Sequence, residues 1–276
     1  MASKEDWQGK VGQEWSRRAK ALEALLGPPA EAGLSALGDV TGQRVLDLGC
    51  GAGGSTAVLA GMTGAAGSVL GVDVSPDLVE QAKARVAGLP NADVVEADAE
   101  THDFGAGAFD SLYSRFGSMF FTRPDAAFAN LHRSLKPGAP AVFVAWASPR
   151  QNLWAAIPGA FETEGMERPK PQPGPGPFSW AKKDAFMPVL TDAGFDDVTA
   201  EEFAFNAVIS EGEDPDPVTR ATDFMLRIGP VAARLKGATD AQKAAARAYL
   251  TEALAPHVQD DAIRLASLAW VIKARA

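Results

Sequence analysis

A glycine-rich turn behind a short apolar run does most to limit what this chain can fold into. Val45-Leu46-Asp47-Leu48 leads directly into Gly49-Cys50-Gly51-Ala52-Gly53-Gly54, and a helix-compatible stretch follows at once. A short apolar run bounded by glycines reads as a buried strand. Glycines behind it let the chain turn tightly and bring bare backbone N–H groups against a ligand at a helix start. Strand, turn and helix open a βαβ unit, so the rest of the chain has to supply further parallel strands.

Downstream the texture is consistent with that demand. Residues 44–48, 68–73, 92–97, 109–114 and 139–146 are short apolar runs, separated by helical patterns over 54–62 and 124–135 and by one that opens at Ser75-Pro76-Asp77. Ser75-Pro76-Asp77 carries the marks of a helix start, with Ser75 as the expected N-cap. Upstream, Val11, Trp15, Leu22, Leu25 and Leu26 form one helical stripe over 11–26, which Gly27-Pro28-Pro29 is expected to stop. Beyond residue 150 the prolines at 169, 171, 173, 175 and 177 favour an extended loop. A helix over 182–193, a strand over 198–205, helices over 217–236 and 240–255 and a strand over 263–274 complete the pattern. The expected fold is α/β, a mostly parallel sheet with helices on both faces and a helical cap. Three parts follow: residues 1–38 as an N-terminal helical lid, 39–150 as a ligand-binding core, and 151–276 as the half that completes the sheet and caps a substrate.

Charge selects the ligand. Gly49, Gly51 and Gly54 satisfy G-x-G-x-x-G, so a dinucleotide, and with it an NAD(P)-dependent oxidoreductase, has to be weighed. Asp47, two residues before the first glycine, repels a pyrophosphate and attracts an ammonium or sulfonium. Asp73 ends the second run, where a carboxylate accepts from both ribose hydroxyls, and Asp98 ends the third, placed to accept from an adenine amine. Acids at three consecutive strand ends suit a cationic nucleoside.

These segments resemble the class I S-adenosylmethionine-dependent methyltransferases. VLDLGCGAGG, VDVSPDLVEQAKAR, VVEADAE, FDSLYSRFG and LKPGAPAVFVAW stand in family order at family spacing over roughly residues 40–147. The flanks are similar to the bacterial branch near the ubiquinone/menaquinone C-methyltransferases. The resemblance implies a Rossmann-like sheet with an antiparallel last strand and S-adenosylmethionine as cofactor. It assigns Asp47, Gly49, Gly51 and Gly53 to the methionine side, Asp73 and Val74 to the ribose, and Asp98 and Ala99 to the adenine. Ser114 and Arg115 then lie near the methionine end. Phe116, Met119, Phe120, Trp146 and Trp154 offer an aromatic wall for the acceptor, joined by Trp15 of the N-terminal helix and roofed by Phe224, Met225, Leu226 and Ile228.

Several absences narrow the acceptor. Ser114-Arg115-Phe116-Gly117 replaces the Asn/Asp-Pro-Pro-Tyr/Phe motif of enzymes that methylate nucleic-acid amines, and the single cysteine, Cys50, leaves no second thiol for pyrimidine chemistry. With 26 basic against 35 acidic residues, the net charge of −9 disfavours a polyphosphate partner. The three histidines, His102, His132 and His257, do not stand at metal-ligand spacing, so no metal is expected, and no residue declares itself a general base. The apolar stretch 139–147 is too short to span a membrane. The expected protein is a cytoplasmic enzyme methylating a small aromatic or hydrophobic acceptor, with a homodimer compatible and no nucleic-acid partner. A regulator that binds the cofactor without catalysis is the non-enzymatic alternative.

Overall fold

The computed structural model describes residues 4–167, 174–209 and 212–276. Three helices lead in: α1 (Lys4–Trp7), α2 (Lys10–Arg17) and α3 (Ala19–Leu37). Strands and helices then alternate as β1 (Arg44–Leu48), α4 (Gly54–Thr63), β2 (Ser68–Asp73), α5 (Pro76–Val86), β3 (Ala92–Glu96), β4 (Ser111–Arg115), α6 (Pro124–Ser134) and β5 (Pro140–Trp146). The remainder comprises α7 (Leu153–Ala160), α8 (Lys183–Asp192), β6 (Asp196–Ile209), α9 (Pro217–Arg227), α10 (Pro230–Arg234), α11 (Asp240–Leu254), β7 (Val258–Gln259) and β8 (Ala262–Arg275).

The strands form one sheet in the order β3-β2-β1-β4-β5-β8-β6, with β7 paired to β8. Strands β1 to β5 are mutually parallel, while β8 runs antiparallel to both β5 and β6. Because side chains alternate across a strand, Phe143 points to one face, where it meets Phe128, Trp180 and Phe195 at ring distances of 5.6, 5.9 and 6.2 Å. Val142 and Val144 point to the other, against α3.

Helix α3 departs from the expectation set by Gly27-Pro28-Pro29. It does not stop there but continues to Leu37, and the chain breaks instead at Arg18, between α2 and α3. Two prolines without N–H groups forgo two helical hydrogen bonds. Burial offsets that loss, since Leu22, Leu25, Leu26, Pro29, Gly33 and Leu37 are all covered. At Gly33 an added Cβ would stand 2.5 Å from Val144 and 3.1 Å from Tyr113, so α3 lies directly on β4 and β5. The Tyr113 hydroxyl donates to the Ala30 carbonyl at 3.1 Å, anchoring the helix just beyond the prolines.

Ser75 stands at the N-cap of α5, yet its hydroxyl makes no capping bond. Its backbone N–H donates to Asp73 instead, and its side chain is covered by α2 at Gly12. Of the alternating prolines, Pro169, Pro171 and Pro173 lie outside the described residues, whereas Pro175 and Pro177 occupy turns.

Strand β8 is twice as long as its partner β5. Its C-terminal half pairs with β5, from Arg275 opposite Pro140 to Ala269 opposite Trp146. Its N-terminal half extends past β5, paired with β6 up to Ile263 opposite Ile209 and with the short β7 at Ala262 and Ile263, and overhangs the ends of the parallel strands. The helices α9 to α11 sit between β6 and β8 in the chain and cover this overhang. Asn152, fully buried, fixes the point of departure. Its Nδ2 donates to the Leu268 carbonyl at 3.1 Å and the Ser148 carbonyl at 3.0 Å, while its Oδ1 accepts the Leu268 N–H at 3.0 Å. Asn152→Ala strands those backbone groups in the interior, so unfolding titrations should show a loss of about 2 kcal/mol. A change under about 0.5 kcal/mol would remove Asn152 as the anchor of the overhang.

Candidate active site

Between β1 and β4 the connections diverge, β2 lying on one side of β1 and β4 on the other. In such sheets the crevice beyond the strands' carboxyl ends at that point is where ligands bind. Asp47, on β1, is fully buried there. Its Oδ2 accepts from the Ser55 and Thr56 hydroxyls at 2.7 Å each, both from the first turn of α4, and its Oδ1 has no partner. Burial pushes the carboxyl up to about 6, against the pull of those two hydroxyls and of the Arg115 charge.

The three glycines divide by task. Gly49 (φ +67°) abuts Gly117 of the loop after β4, where an added Cβ would lie 2.6 Å from the Gly117 Cα. Gly53 (φ +79°) packs on α5, with the Ala82 Cα 2.9 Å from the same virtual atom. Only Gly51 (φ +55°) faces open space, with no atom within 4 Å of its virtual Cβ. The turn is laced to β2: the Val72 carbonyl accepts the N–H groups of Gly49 and Cys50 at 2.8 and 3.1 Å. Asp73 completes it, with Oδ2 accepting from Gly51 N–H and Oδ1 from Ser75 N–H, both at 2.9 Å. Burial raises the Asp73 carboxyl while these backbone bonds oppose the rise. Val74, beside it, is half-buried.

Asp98 is spoken for at both oxygens. Oδ1 accepts the Glu100 N–H at 2.9 Å and Oδ2 pairs with Lys4 Nζ at 2.8 Å. Burial alone would raise its pKa, but the Lys4 bond, the Glu100 N–H and the charges of Lys4 and Arg123 together hold it below the usual carboxylate range. Ala99 is buried, its carbonyl taking the Asn130 amide at 3.0 Å. The Lys4 contact brings α1 over the third strand's end, and Trp7 packs edge-on against Trp15 and Phe120 at 5.2 and 5.0 Å. Helix α2 is held on α5 by Gln81, which donates to the Ser16 carbonyl at 3.0 Å. Helices α1 and α2 thus lie over Asp98 and α5.

After β4 the expected residues separate. Ser114 is buried with its hydroxyl donating to the Leu48 carbonyl at 2.9 Å, so it joins β4 to β1. Arg115 is half-buried and has no ion-pair partner among the described residues, although its charge reaches Asp47. Phe116 holds φ +58°, uncommon for a residue with a side chain, and strain of this kind clusters at functional sites. Its N–H donates to the Val144 carbonyl at 2.8 Å and its ring stacks on Trp146 at 4.3 Å. The Trp146 ring also meets Trp154 at 4.8 Å and Phe205 at 6.0 Å, and its backbone N–H donates to the Met119 sulfur at 3.4 Å. Phe116, Met119 and Trp146 are buried, while Trp15, Phe120 and Trp154 are half-buried.

Ser55, Thr56, Gly117 and Lys4 are the contributors that sequence reasoning missed. The two hydroxyls had a signal, standing eight and nine residues after Asp47 in a helix's first turn. Gly117 and Lys4 act through contacts 68 and 94 residues away in the chain. Among the described residues no cluster of three or more His, Cys, Asp or Glu could hold a metal, and no helix is long and apolar enough to cross a membrane.

Comparison with known proteins agrees with this geometry. A methyltransferase-domain family model matches residues 45–138, the span from β1 to the start of β5. Aklanonic acid methyltransferase DauC of Streptomyces sp. (strain C5) is 40% identical over 92 residues, 33% of this chain and 41% of that protein. Demethylmenaquinone methyltransferase of Staphylococcus epidermidis is 26% identical over 172 residues, 59% of this chain and 71% of the relative. A solved S-adenosylmethionine-dependent methyltransferase from Aquifex aeolicus shares the fold at a TM-score of 0.51 and 23% identity, covering 68% of this chain and 89% of that one. The matched region thus spans less than half of DauC's length. Residues 45–138 thus resemble a methyltransferase domain, carried on a sheet that shares the fold of the Aquifex aeolicus structure.

Proposed function

We propose that this chain binds S-adenosylmethionine and transfers its methyl group to a small aromatic or hydrophobic acceptor. The observation that carries the reading is the Asp47 carboxylate, fully buried with Oδ1 unpartnered, beside a glycine turn whose Gly51 faces open space. A buried carboxylate oxygen without a partner is costly unless a cation or donor arrives to meet it. An ammonium group fits that demand and a pyrophosphate does not. On this reading Asp47 holds the amino-acid end and Arg115 the carboxylate, Asp73 and Val74 the ribose, and Asp98 and Ala99 the adenine. The bound cofactor supplies a methyl group on a sulfonium, already activated for in-line displacement. The chain's task is then alignment and exclusion of water. Phe116 and Trp146 wall the reaction space, the N-terminal 38 residues close over the cofactor, and residues 151–276 cap the acceptor.

Neutral small acceptors fit the surface balance better than nucleic acid, since the chain carries nine more acids than bases. The lone thiol, Cys50, is buried and burial pushes its pKa up, so it stays protonated and offers no nucleophile. Calorimetry with S-adenosylhomocysteine and with NADH separates the readings: binding of NADH alone sinks methyl transfer. A radiolabelled methyl donor offered with quinols, phenols, amines and thiols then identifies the acceptor. Asp73→Ala should weaken S-adenosylhomocysteine by at least about tenfold, because charge-assisted hydrogen bonds contribute roughly 1.5–3 kcal/mol. Equal affinity, with the melting temperature unchanged, would end the ribose assignment.

A further inference from the structure

Asp98 and Ala99 lie on a tight turn after β3, and that turn is held from outside. Within it the Asp98 carbonyl accepts the N–H groups of Thr101 and His102 at 3.0 and 2.8 Å, and the Asp98 Oδ1 takes the Glu100 N–H at 2.9 Å. Helix α6 supplies the rest. Asn130 stands on α6, half-buried, and its Nδ2 donates to the Ala99 carbonyl at 3.0 Å and to the His102 carbonyl at 2.8 Å. A side-chain amide has two N–H donors, so both are spent on the turn. The Asn130 Oδ1 accepts from Arg133 at 2.8 Å, which fixes the direction of the amide.

The turn grips α6 in return. Glu100 Oε1 accepts the backbone N–H groups of Thr122 and Arg123 at 2.5 and 3.2 Å, and Oε2 lies 3.5 Å from Arg123 Nε. Those N–H groups stand just ahead of α6, whose N-cap residue, Arg123, makes no side-chain capping bond of its own. A carboxylate there also meets the positive end of the helix dipole. Glu100 is thus engaged at both ends: its backbone orients Asp98 and its side chain holds the start of α6. Contacts spanning 22 to 31 residues join two separate elements into one body. Rigidity of this kind matters for selection. A mobile carboxylate turns away from a repelling oxygen at little cost, whereas a fixed one makes the wrong ligand bear the repulsion.

We propose that Glu100 and Asn130 are positioning residues, which hold the Asp98 carboxylate so that it selects a 6-amino purine against a 6-oxo purine. Resting on the methyl-transfer reading, which gives Asp98 to the adenine, this selectivity comes from residues that need not touch the ligand. The probes are S-adenosylhomocysteine and S-inosylhomocysteine, which carry the 6-amino and the 6-oxo group, each titrated calorimetrically into the full chain. Wild type is expected to bind the amino compound at least about tenfold more tightly, since the oxo group sets lone pairs against a carboxylate. Asn130→Leu keeps the bulk of the side chain and removes both donors, and Glu100→Ala removes the grip on α6. Each should shrink that preference at least about fivefold, through weaker binding of the amino compound, with S-inosylhomocysteine held within about twofold. Glu100→Gln keeps an oxygen for the Thr122 and Arg123 N–H groups and should retain the wild-type preference. Melting temperatures are recorded alongside. Variants Asn130→Leu and Glu100→Ala that lose stability yet keep the preference, or that lose both compounds in parallel, overturn the positioning role. Wild type that binds both compounds equally removes Asp98 from the adenine, and the positioning role with it. Wild type that binds neither removes the methyl-transfer reading on which that role depends.

Discussion

Asp47→Asn should lose at least about a hundredfold in affinity for S-adenosylhomocysteine at pH 7.5, and should change how stability follows pH. The binding loss follows from charge: an ammonium left without its buried counter-ion forfeits about 3–5 kcal/mol. The pH effect follows from the raised carboxyl. Burial raises folded Asp47 to about 6 from the ordinary carboxylate value of 3.8, so between those values the native state holds a proton that the unfolded chain has released. Stability from this group is therefore fully present below about pH 4, declines as pH rises through 6, and is lower by about 3 kcal/mol above it. The amide cannot ionise, and its oxygen still accepts from Ser55 and Thr56. Its N–H pair lies where Oδ1 had no partner and costs about 1–3 kcal/mol, so the variant gains little net stability at neutral pH. The difference in unfolding free energy between wild type and variant should instead drift by about 3 kcal/mol from pH 4 to pH 7. A parallel pair of curves would mean that Asp47 titrates normally. The same proton predicts weaker cofactor binding by wild type below pH 6, with no such dependence in the variant.

How far the sequence could be read depended on the range of the interaction concerned. Strands β1, β2 and β5 announced themselves because a strand buried on both faces is a local apolar run closed by local glycines and prolines. The acids after β1, β2 and β3 were legible for a similar reason, since each sits where its own strand ends. Helix α3 was misread at Pro28 because its continuation depends on Val144 and Tyr113, far along the chain. Periodicity predicts the strand at 198–205 but not its extension to Ile209, since the extra residues form against β8 rather than by their own pattern. Ser75 and Ser114 show the limit most plainly. Both residue types suit the expected roles, yet one hydroxyl is covered by α2 and the other is spent on the Leu48 carbonyl. Residue type records capacity, and tertiary contacts decide its use.

The same limit applies to the glycines, and there it can be measured. G-x-G patterns present Gly49, Gly51 and Gly53 as equals, whereas the structure gives Gly49 a packing task and Gly51 an open face. Gly49→Ala meets two penalties. A left-handed conformation costs an alanine about 1–2 kcal/mol. The new methyl also collides with the Gly117 backbone, and overpacking of this kind costs about 1–3 kcal/mol more. The sum, about 2–5 kcal/mol, is a large part of a typical domain's stability, and should lower the melting temperature by roughly 5–15 °C. Gly51→Ala carries only the first penalty, because nothing lies within 4 Å of the added atom. Its melting temperature should fall far less, yet its methyl projects into the open space that the proposed function gives to the cofactor, so S-adenosylhomocysteine affinity should drop at least about tenfold. Adding Gly117→Ala to Gly49→Ala should deepen the first defect, since each glycine's virtual Cβ lies within 3 Å of the other's Cα. Equal destabilisation by Gly49→Ala and Gly51→Ala would refute the close contact after β4, and a stable Gly51→Ala with undiminished affinity would move the cofactor away from Gly51.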